Sequence, residues 1–222
     1  SVLVNASTWG LMLTGRVVRL DKETRSNFRR TLNKLMQRSG EPVIRVAVRQ
    51  AMRVMGFQFV MGRTIDEAIK RSRKKENRSY RYSFDMLGEA ALTAEDAERY
   101  FRSYANAIEA IGRGNEGNDI FAANSISVKL SALHPRYEVS QRRRVLNELA
   151  PRLLELAMMA KAHNIGLTVD AEECERLQLS LDVFDKVYAS DSLDGWQGFG
   201  LAIQAYQKRA PYVIDALAER AR

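Results

Sequence analysis

Residues 125–138 read Ser125-Ile-Ser-Val-Lys-Leu-Ser-Ala-Leu-His-Pro-Arg-Tyr-Glu138, and they place a lysine inside a short apolar run that is typical of a buried strand. Because strand side chains alternate between two faces, Ser125, Ser127 and Lys129 share one small, polar face. A buried ammonium group is costly unless an anion meets it. Lys129 is therefore a candidate ligand-facing residue, and a strand-end lysine that reaches solvent is the alternative.

Short apolar runs alternate with longer helical patterns from residue 80 onward. We predict strands at residues 80–87, 125–130, 165–170 and 199–205. The predicted helices that follow them span residues 93–112, 140–162 and 172–188, with a last one starting at Ala210. Four strands that are each followed by a helix indicate an α/β fold with a parallel sheet and helical crossovers.

A polar residue stands at or near the end of each predicted strand. These residues are Asp85, Lys129, Asp170 and Gln204. A (β/α)₈ barrel builds its active site on the rim formed by all strand ends, whereas a doubly wound sheet concentrates ligand contacts at one switch point. The pattern favours the barrel. Because a full barrel takes ~250 residues, we expect residues 80–222 to form only its first four βα units.

Residues 1–79 have helical patterns, so we expect a helical arm that precedes the barrel. Helices are predicted to start near Asn5, Asp21 and Pro42. The sequence Thr64-Ile-Asp-Glu67 predicts a capping box for a fourth helix. The chain starts without a methionine and stops within a helical pattern, so we expect it to be a piece of a longer protein.

The net charge of +8 over 222 residues is compatible with an anionic partner. Basic clusters at residues 71–78 and 142–144 are interpreted as solvated helix surface, and a nucleic-acid-binding module is the alternative. Cys174 is the only cysteine, which excludes an internal disulfide and fits a reducing cytosol. No run approaches the ~20 apolar residues that a membrane-spanning helix needs.

Several catalytic motifs are absent from the sequence. It has neither a Gly-x-Gly-x-x-Gly fingerprint nor a Walker loop. His134 and His163 are too few for a histidine-based metal site, and we interpret both as structural or solvated. The carboxylates of residues 170–173 could bind Mg²⁺, which leaves a magnesium-dependent barrel enzyme as another alternative. We assign Glu173 to a helix N-terminus and keep Asp170 as the functional residue.

Four segments at the predicted strand ends have a specific sequence and order. They are Phe84–Ala90, Ser127–Tyr137, Leu167–Glu173 and Gln204–Arg209. Together they resemble the proline dehydrogenase module of the bifunctional bacterial proline utilization A flavoenzymes. Residues 4–9 and 13–16 are also similar to the stretch that precedes that barrel, so the resemblance covers nearly the whole chain.

The resemblance implies FAD as the cofactor and L-proline as the substrate. Proline would lose a hydride to flavin N5, give Δ1-pyrroline-5-carboxylate and send its electrons to a quinone. It also implies a cytoplasmic protein with peripheral association with the inner membrane, compatible with an oligomeric full-length form. By the same resemblance, Lys129 faces the proline carboxylate, Asp85 is an active-site aspartate that helps position the substrate-binding cations, and Asp170 is the aspartate of the flavin and substrate site.

The resemblance also assigns cofactor-binding residues. Asp170 and Ala171 would border the flavin, and Gln204 would hydrogen-bond the isoalloxazine ring. Ala202 stands where a valine is expected against the flavin, and Glu89 corresponds to a residue at the pocket edge. No metal is implied.

Other parts of such an enzyme are expected outside these 222 residues. They include the arginines that clamp the substrate carboxylate, an NAD-dependent aldehyde dehydrogenase module and a DNA-binding N-terminus. DNA would then be contacted only through a domain that is not in this chain. We expect the isolated half barrel to bind FAD weakly and to oxidise no proline, because it leaves two unpaired sheet edges.

Overall fold

The computed structural model describes residues 48–115, 117 and 119–221. The chain divides into two compact units, residues 1–68 and 69–222. The helices predicted to start near Asn5 and Asp21, and the start of the helix at Pro42, lie outside the described residues.

The described part of the first unit is helical. Helix α1 occupies residues 48–59, within the helix predicted from Pro42, and α2 spans Ile65–Ser72. The Thr64 hydroxyl accepts a hydrogen bond from the Glu67 backbone N–H at 3.2 Å, as a capping box requires. The Glu67 carboxylate, however, accepts from the backbone N–H of Arg63 at 3.0 Å. Half of the predicted capping box is therefore confirmed, and its return bond goes to the preceding residue.

Four parallel strands form one sheet in the second unit. They are β1 (Ser83–Asp85), β2 (Ser125–Val128), β3 (Leu167–Val169) and β4 (Phe199–Leu201), in the order β1-β2-β3-β4. The predicted α/β class and parallel sheet are confirmed. Each strand is shorter than predicted, because the residues at its carboxyl end leave the sheet as loops or, after β2, as a short helix, and β1 and β3 also begin later than predicted.

The two faces of the sheet differ in polarity. Phe84, Ile126, Val128, Leu167 and Val169 are buried on one face. The other face carries small polar residues in register, with Ser83 beside Ser125 and Ser127 beside Thr168. The alternation at positions 125–128 therefore separates the core face from a more open, polar face.

Helices follow the strands in the described part of the second unit. They are α3 (Ala94–Gly112), α4 (Leu130–Leu133), α5 (Arg142–Ala162), α6 (Leu177–Tyr188) and α7 (Ala210–Arg220), with 3₁₀ turns at Val139–Gln141, Cys174–Arg176 and Asp191–Leu193. Tyr104 and Ile108 of α3 and Leu149 and Leu153 of α5 are almost fully buried. The sequence missed α4, because its apolar residues continue the strand pattern of β2. Among the described residues, no helix is long and apolar enough to cross a membrane.

Candidate active site

Three charged residues meet at the carboxyl edge of the sheet. Asp85 ends β1, Lys129 follows β2 and Asp170 follows β3. The Lys129 ammonium nitrogen lies 2.8 Å from Oδ2 of Asp85 and 2.7 Å from Oδ2 of Asp170. Parallel strands end at a common edge, so residues distant in sequence become neighbours there. We call Asp85, Lys129 and Asp170 the charged cluster.

The charged cluster is partly shielded from solvent. The Lys129 side chain is 15% exposed, while those of Asp85 and Asp170 are 34% and 30% exposed. Burial lowers the pKa of Lys129, but the hydrogen bonds to Asp170 and Asp85 outweigh it and hold the pKa above its usual value. Lys129 is therefore a cation at neutral pH, and the alternative of a lysine that simply reaches solvent is wrong.

Backbone hydrogen bonds fix the residues of the charged cluster. The Lys129 N–H donates to the Tyr104 hydroxyl at 3.2 Å, and burial raises the pKa of Tyr104 to about 12. The Asp170 N–H donates to the Val128 carbonyl at 2.9 Å. Oδ1 of Asp170 accepts from the Ala171 N–H at 2.9 Å, which leaves Oδ2 for Lys129. Helix α3 and strand β2 thus hold the cation and one of its two anions in place.

Gln204, Ala171 and Ala202 line one pocket together with Glu172. The Gln204 side-chain amide donates to the Glu172 carbonyl at 2.8 Å, and its oxygen accepts from the Tyr206 hydroxyl at 2.9 Å. Within the described residues, no hydrogen bond joins Gln204 to Lys129. The structure therefore ties the fourth polar strand end to Glu172, in the loop that follows Asp170, and does not bring it into the charged cluster.

Glu89 stands apart from these residues. It is exposed on the loop after β1, and within the described part of the chain no ion pair or hydrogen bond joins it to the charged cluster.

Sequence reasoning missed Ser131 and Glu172. The Ser131 N–H donates to Oε2 of Glu172 at 3.0 Å, and the Ser131 hydroxyl donates to Oε1 of the same carboxylate. Their positions held a signal, since each follows a residue of the charged cluster by two positions. Glu173 pairs instead with Arg176 at 3.2 Å and precedes a 3₁₀ turn, so the helix predicted from residue 172 begins only at Leu177.

The other predicted features are engaged in local contacts. His134 is buried and lies 3.0 Å from Glu148, which agrees with a structural histidine. Arg142 pairs with Asp182 at 2.6 Å, and Arg144 also pairs with Glu148. Among the described residues, no group of three or more His, Cys, Asp or Glu is arranged to hold a metal ion.

Two family models match the chain. The model described as "Proline dehydrogenase" matches residues 68–222, which is more than half of the sequence. The model described as "DNA-binding domain of Proline dehydrogenase" matches residues 1–59. The prediction that this DNA-binding region lies outside the chain is therefore wrong.

Curated relatives cover the chain from end to end. "Bifunctional protein PutA" of Escherichia coli (strain K12) is 52% identical over 221 residues, which are 100% of this chain and 17% of that protein. The PutA protein of Rhizobium meliloti is 49% identical over 222 residues and 18% of its own length. "Proline dehydrogenase 1" of Bacillus subtilis is 25% identical over 154 residues, 69% of this chain and 45% of that protein. The chain thus spans less than a fifth of these two PutA proteins.

Solved structures agree with this relationship. A crystal structure of a proline utilization A (PutA) mutant from Bradyrhizobium japonicum has a TM-score of 0.67 and 57% identity, covering 84% of this chain and 19% of that one. PutA from Bdellovibrio bacteriovorus has a TM-score of 0.72 at 22% identity, covering 80% of this chain and 20% of that one. The second likeness concerns the fold alone.

Proposed function

The chain belongs to the proline dehydrogenase family, and we propose that the protein of which it is a part oxidises L-proline to Δ1-pyrroline-5-carboxylate. The observation that carries this proposal is the charged cluster, in which Lys129 holds a positive charge at the carboxyl edge of the sheet. A partly shielded cation at that edge suits the carboxylate of a small amino acid.

Lys129 contacts the substrate carboxylate in this proposal. An ammonium group has three N–H donors, and Asp85 and Asp170 accept two of them. The third donor remains for an anionic substrate. The two aspartates also leave the cluster with excess negative charge, which the arginines expected elsewhere in the full-length protein would balance.

We propose FAD as the cofactor, with Asp170, Ala171, Ala202 and Gln204 bordering it. These residues fit such a group, because Ala171 and Ala202 are half-exposed and project only methyl groups into the pocket that Gln204 lines. The Gln204 amide has both a donor and an acceptor for the polar edge of a ring. FAD would supply the hydride acceptor, while residues of this chain orient proline and exclude water. An alanine at position 202 offers less apolar contact than the expected valine and weakens that binding slightly.

We further propose that residues 80–222 form the first half of a (β/α)₈ barrel and that residues 1–79 form its helical arm. The order of the four parallel strands and the polar character of the uncovered face support this arrangement. Glu89 would lie at the pocket edge. We also propose that a quinone accepts the electrons. The full-length protein would be cytoplasmic and would contact a membrane peripherally.

The test is an anaerobic titration of the purified full-length protein with L-proline, followed by the visible absorption of flavin. The proposal expects a yellow protein whose absorption band is bleached by L-proline and restored by a quinone. A colourless protein, or a flavin that proline does not reduce, would contradict it.

DNA binding by the first unit is a second candidate function. It is supported by the match of residues 1–59 and by their charge, since they contain 11 Lys or Arg and three Asp or Glu. Residues 60–222 contain 24 Lys or Arg and 24 Asp or Glu, so the whole excess of positive charge lies in the matched region.

The test of DNA binding is a duplex DNA titration of the full-length protein at several salt concentrations. Affinity that falls steeply with salt, and weakens further in an Arg29→Glu/Arg30→Glu variant, is expected. Salt-independent affinity or no binding would contradict it.

A further inference from the structure

Ser131 and Glu172 form a partly buried link between helix α4 and the loop that follows β3 in the candidate active site. Ser131 is 4% exposed, and both its N–H and its hydroxyl donate to the two carboxylate oxygens of Glu172. A carboxylate that receives two donors from one residue is held in both position and orientation. Neither residue contacts Lys129 through a hydrogen bond in the described part of the chain, so neither belongs to the charged cluster itself.

The same serine holds the loop that follows β1. Its hydroxyl accepts from the Ala90 N–H at 3.0 Å, and its carbonyl accepts from the Ala91 N–H at 2.9 Å. Ala90 has a φ of 53°, a left-handed conformation that a residue with a Cβ rarely adopts. Such a conformation persists only where surrounding contacts enforce it. Ser131 supplies two of these contacts.

Glu172 extends the link to the segment after β4. Its carbonyl accepts from the side-chain amide of Gln204 at 2.8 Å. A continuous set of hydrogen bonds therefore runs from Ala90 through Ser131 and Glu172 to Gln204, touching the segments that follow all four strands. In the chain, Ser131 follows Lys129 by two residues and Glu172 follows Asp170 by two residues. Ala90 follows Asp85 by five residues.

We infer that Ser131 and Glu172 are positioning residues, which hold the loops after β1 and β3 against helix α4 so that the charged cluster presents Lys129 to the substrate. This inference rests on the proposed oxidation of proline. Ser131 acts through the backbone of its own strand end and of the Ala90 loop. Glu172 acts through the loop that begins at Asp170.

The test uses Ser131→Ala and Glu172→Ala in the full-length protein. Each variant is expected to raise the KM for L-proline about tenfold and to change kcat less, because the loops tighten again once the substrate is bound. In the Lys129→Met background the same substitutions should raise the KM by less than twofold. Substitutions that act through one cation have effects that are not additive. Ser103→Ala and Glu155→Ala, which alter a half-buried residue of α3 and an exposed residue of α5, are the matched controls.

The conservative variant separates positioning from general loss of structure. Glu172→Gln keeps one oxygen acceptor for Ser131, so its increase in log KM should be at most half of that in Glu172→Ala. Full additivity with Lys129→Met, or a fall in kcat as large as the rise in KM for every variant, would overturn the inference.

Hydrogen exchange gives a readout that needs no turnover. In Ser131→Ala the amides of Ala90 and Ala91 should exchange at least tenfold faster than in the parent protein, while those of the middle of α5 stay unchanged. Unchanged exchange at Ala90 would overturn the inference even in a protein that oxidises proline. A parent protein without proline oxidation that still shows the exchange difference would refute the proposed function and leave the loop-holding contacts established.

Discussion

Lys129 donates a hydrogen bond to Asp170 over 2.7 Å, although 41 residues separate the two in the chain. The sheet explains this proximity, because Val128 of β2 pairs with Val169 of β3 and the next residue on each strand leaves the sheet at the same edge. The pairing register therefore sets the geometry of the candidate active site. A shift of one residue would turn Asp170 towards the opposite face.

The first prediction concerns Lys129→Met in the full-length protein. Methionine fills a similar volume without a charge, so the proline carboxylate loses its cationic partner. A charge-assisted hydrogen bond contributes ~1.5–3 kcal/mol, which corresponds to a rise in the KM for proline of about 10- to 100-fold. Steady-state kinetics measures this, with Lys75→Met, an exposed lysine outside the cluster, as the control. An unchanged KM in Lys129→Met would reject the assignment.

The second prediction concerns pH. Burial lowers the pKa of Lys129 from 10.5, and hydrogen bonds to Asp170 and Asp85 more than reverse this shift. Lys129 therefore keeps its charge as the pH rises past the usual lysine pKa of 10.5. Its contribution to the free energy of unfolding is lost only as the pH rises from that value through the higher pKa of the folded protein. In an Asp85→Asn/Asp170→Asn variant, burial acts alone and the pKa should fall below 10.5. The ratio of the variant's proline KM to that of the parent should then rise between about pH 7 and 10. A pH-independent ratio would show that the aspartates do not maintain the charge.

The main features of the second unit could be predicted from the sequence because their signals are local. Alternation at residues 125–128 marks a strand with one buried face, and Thr93 marks the start of α3. The short helix α4 could not be predicted this way. Its residues, Leu130–Leu133, are all buried and therefore have no polar face that would reveal helical periodicity.

The third prediction tests the start of α3. The Thr93 side chain accepts from the Asp96 N–H at 3.1 Å, while the Asp96 carboxylate accepts from the Thr93 N–H at 3.2 Å. Thr93→Ala removes the first of these bonds and should destabilise the helix by about 1 kcal/mol. Hydrogen exchange should become faster at Asp96, whereas Thr93→Ser should retain the protection. Equal exchange in all three proteins would mean that the cap contributes nothing.

The fourth prediction concerns the buried His134. Its Nδ1 accepts from the Arg136 N–H at 3.0 Å, so its Nε2 carries the proton that faces Glu148, also at 3.0 Å. His134→Phe leaves the Arg136 N–H without its acceptor and should destabilise the surrounding turn by about 1–3 kcal/mol. In His134→Asn the side-chain oxygen can still accept a hydrogen bond from the Arg136 N–H, so this variant should lose less stability. The check is hydrogen exchange in residues 134–141, and identical exchange in the two variants would contradict the assigned roles.

The candidate site was only partly predictable. Asp85, Lys129 and Asp170 each sit at the end of an apolar run, so parallel strand order is enough to bring them together. The link between Ser131 and Glu172 depends on how the loops beyond the strands fold back, which no periodic pattern encodes. For the same reason the sequence identifies Glu172 only as one of the carboxylates of residues 170–173 that could bind Mg²⁺. Its serine partner lies 41 residues away.

The most direct test of the account compares L-proline with L-prolinamide, which lacks the carboxylate charge, in anaerobic flavin reduction by the full-length protein. The parent protein should require a far lower concentration of proline than of prolinamide for half-reduction. Lys129→Met should lose most of this preference, because the group that distinguishes a carboxylate from an amide is gone. A variant that keeps the full preference for proline would contradict the claim that Lys129 meets the substrate carboxylate.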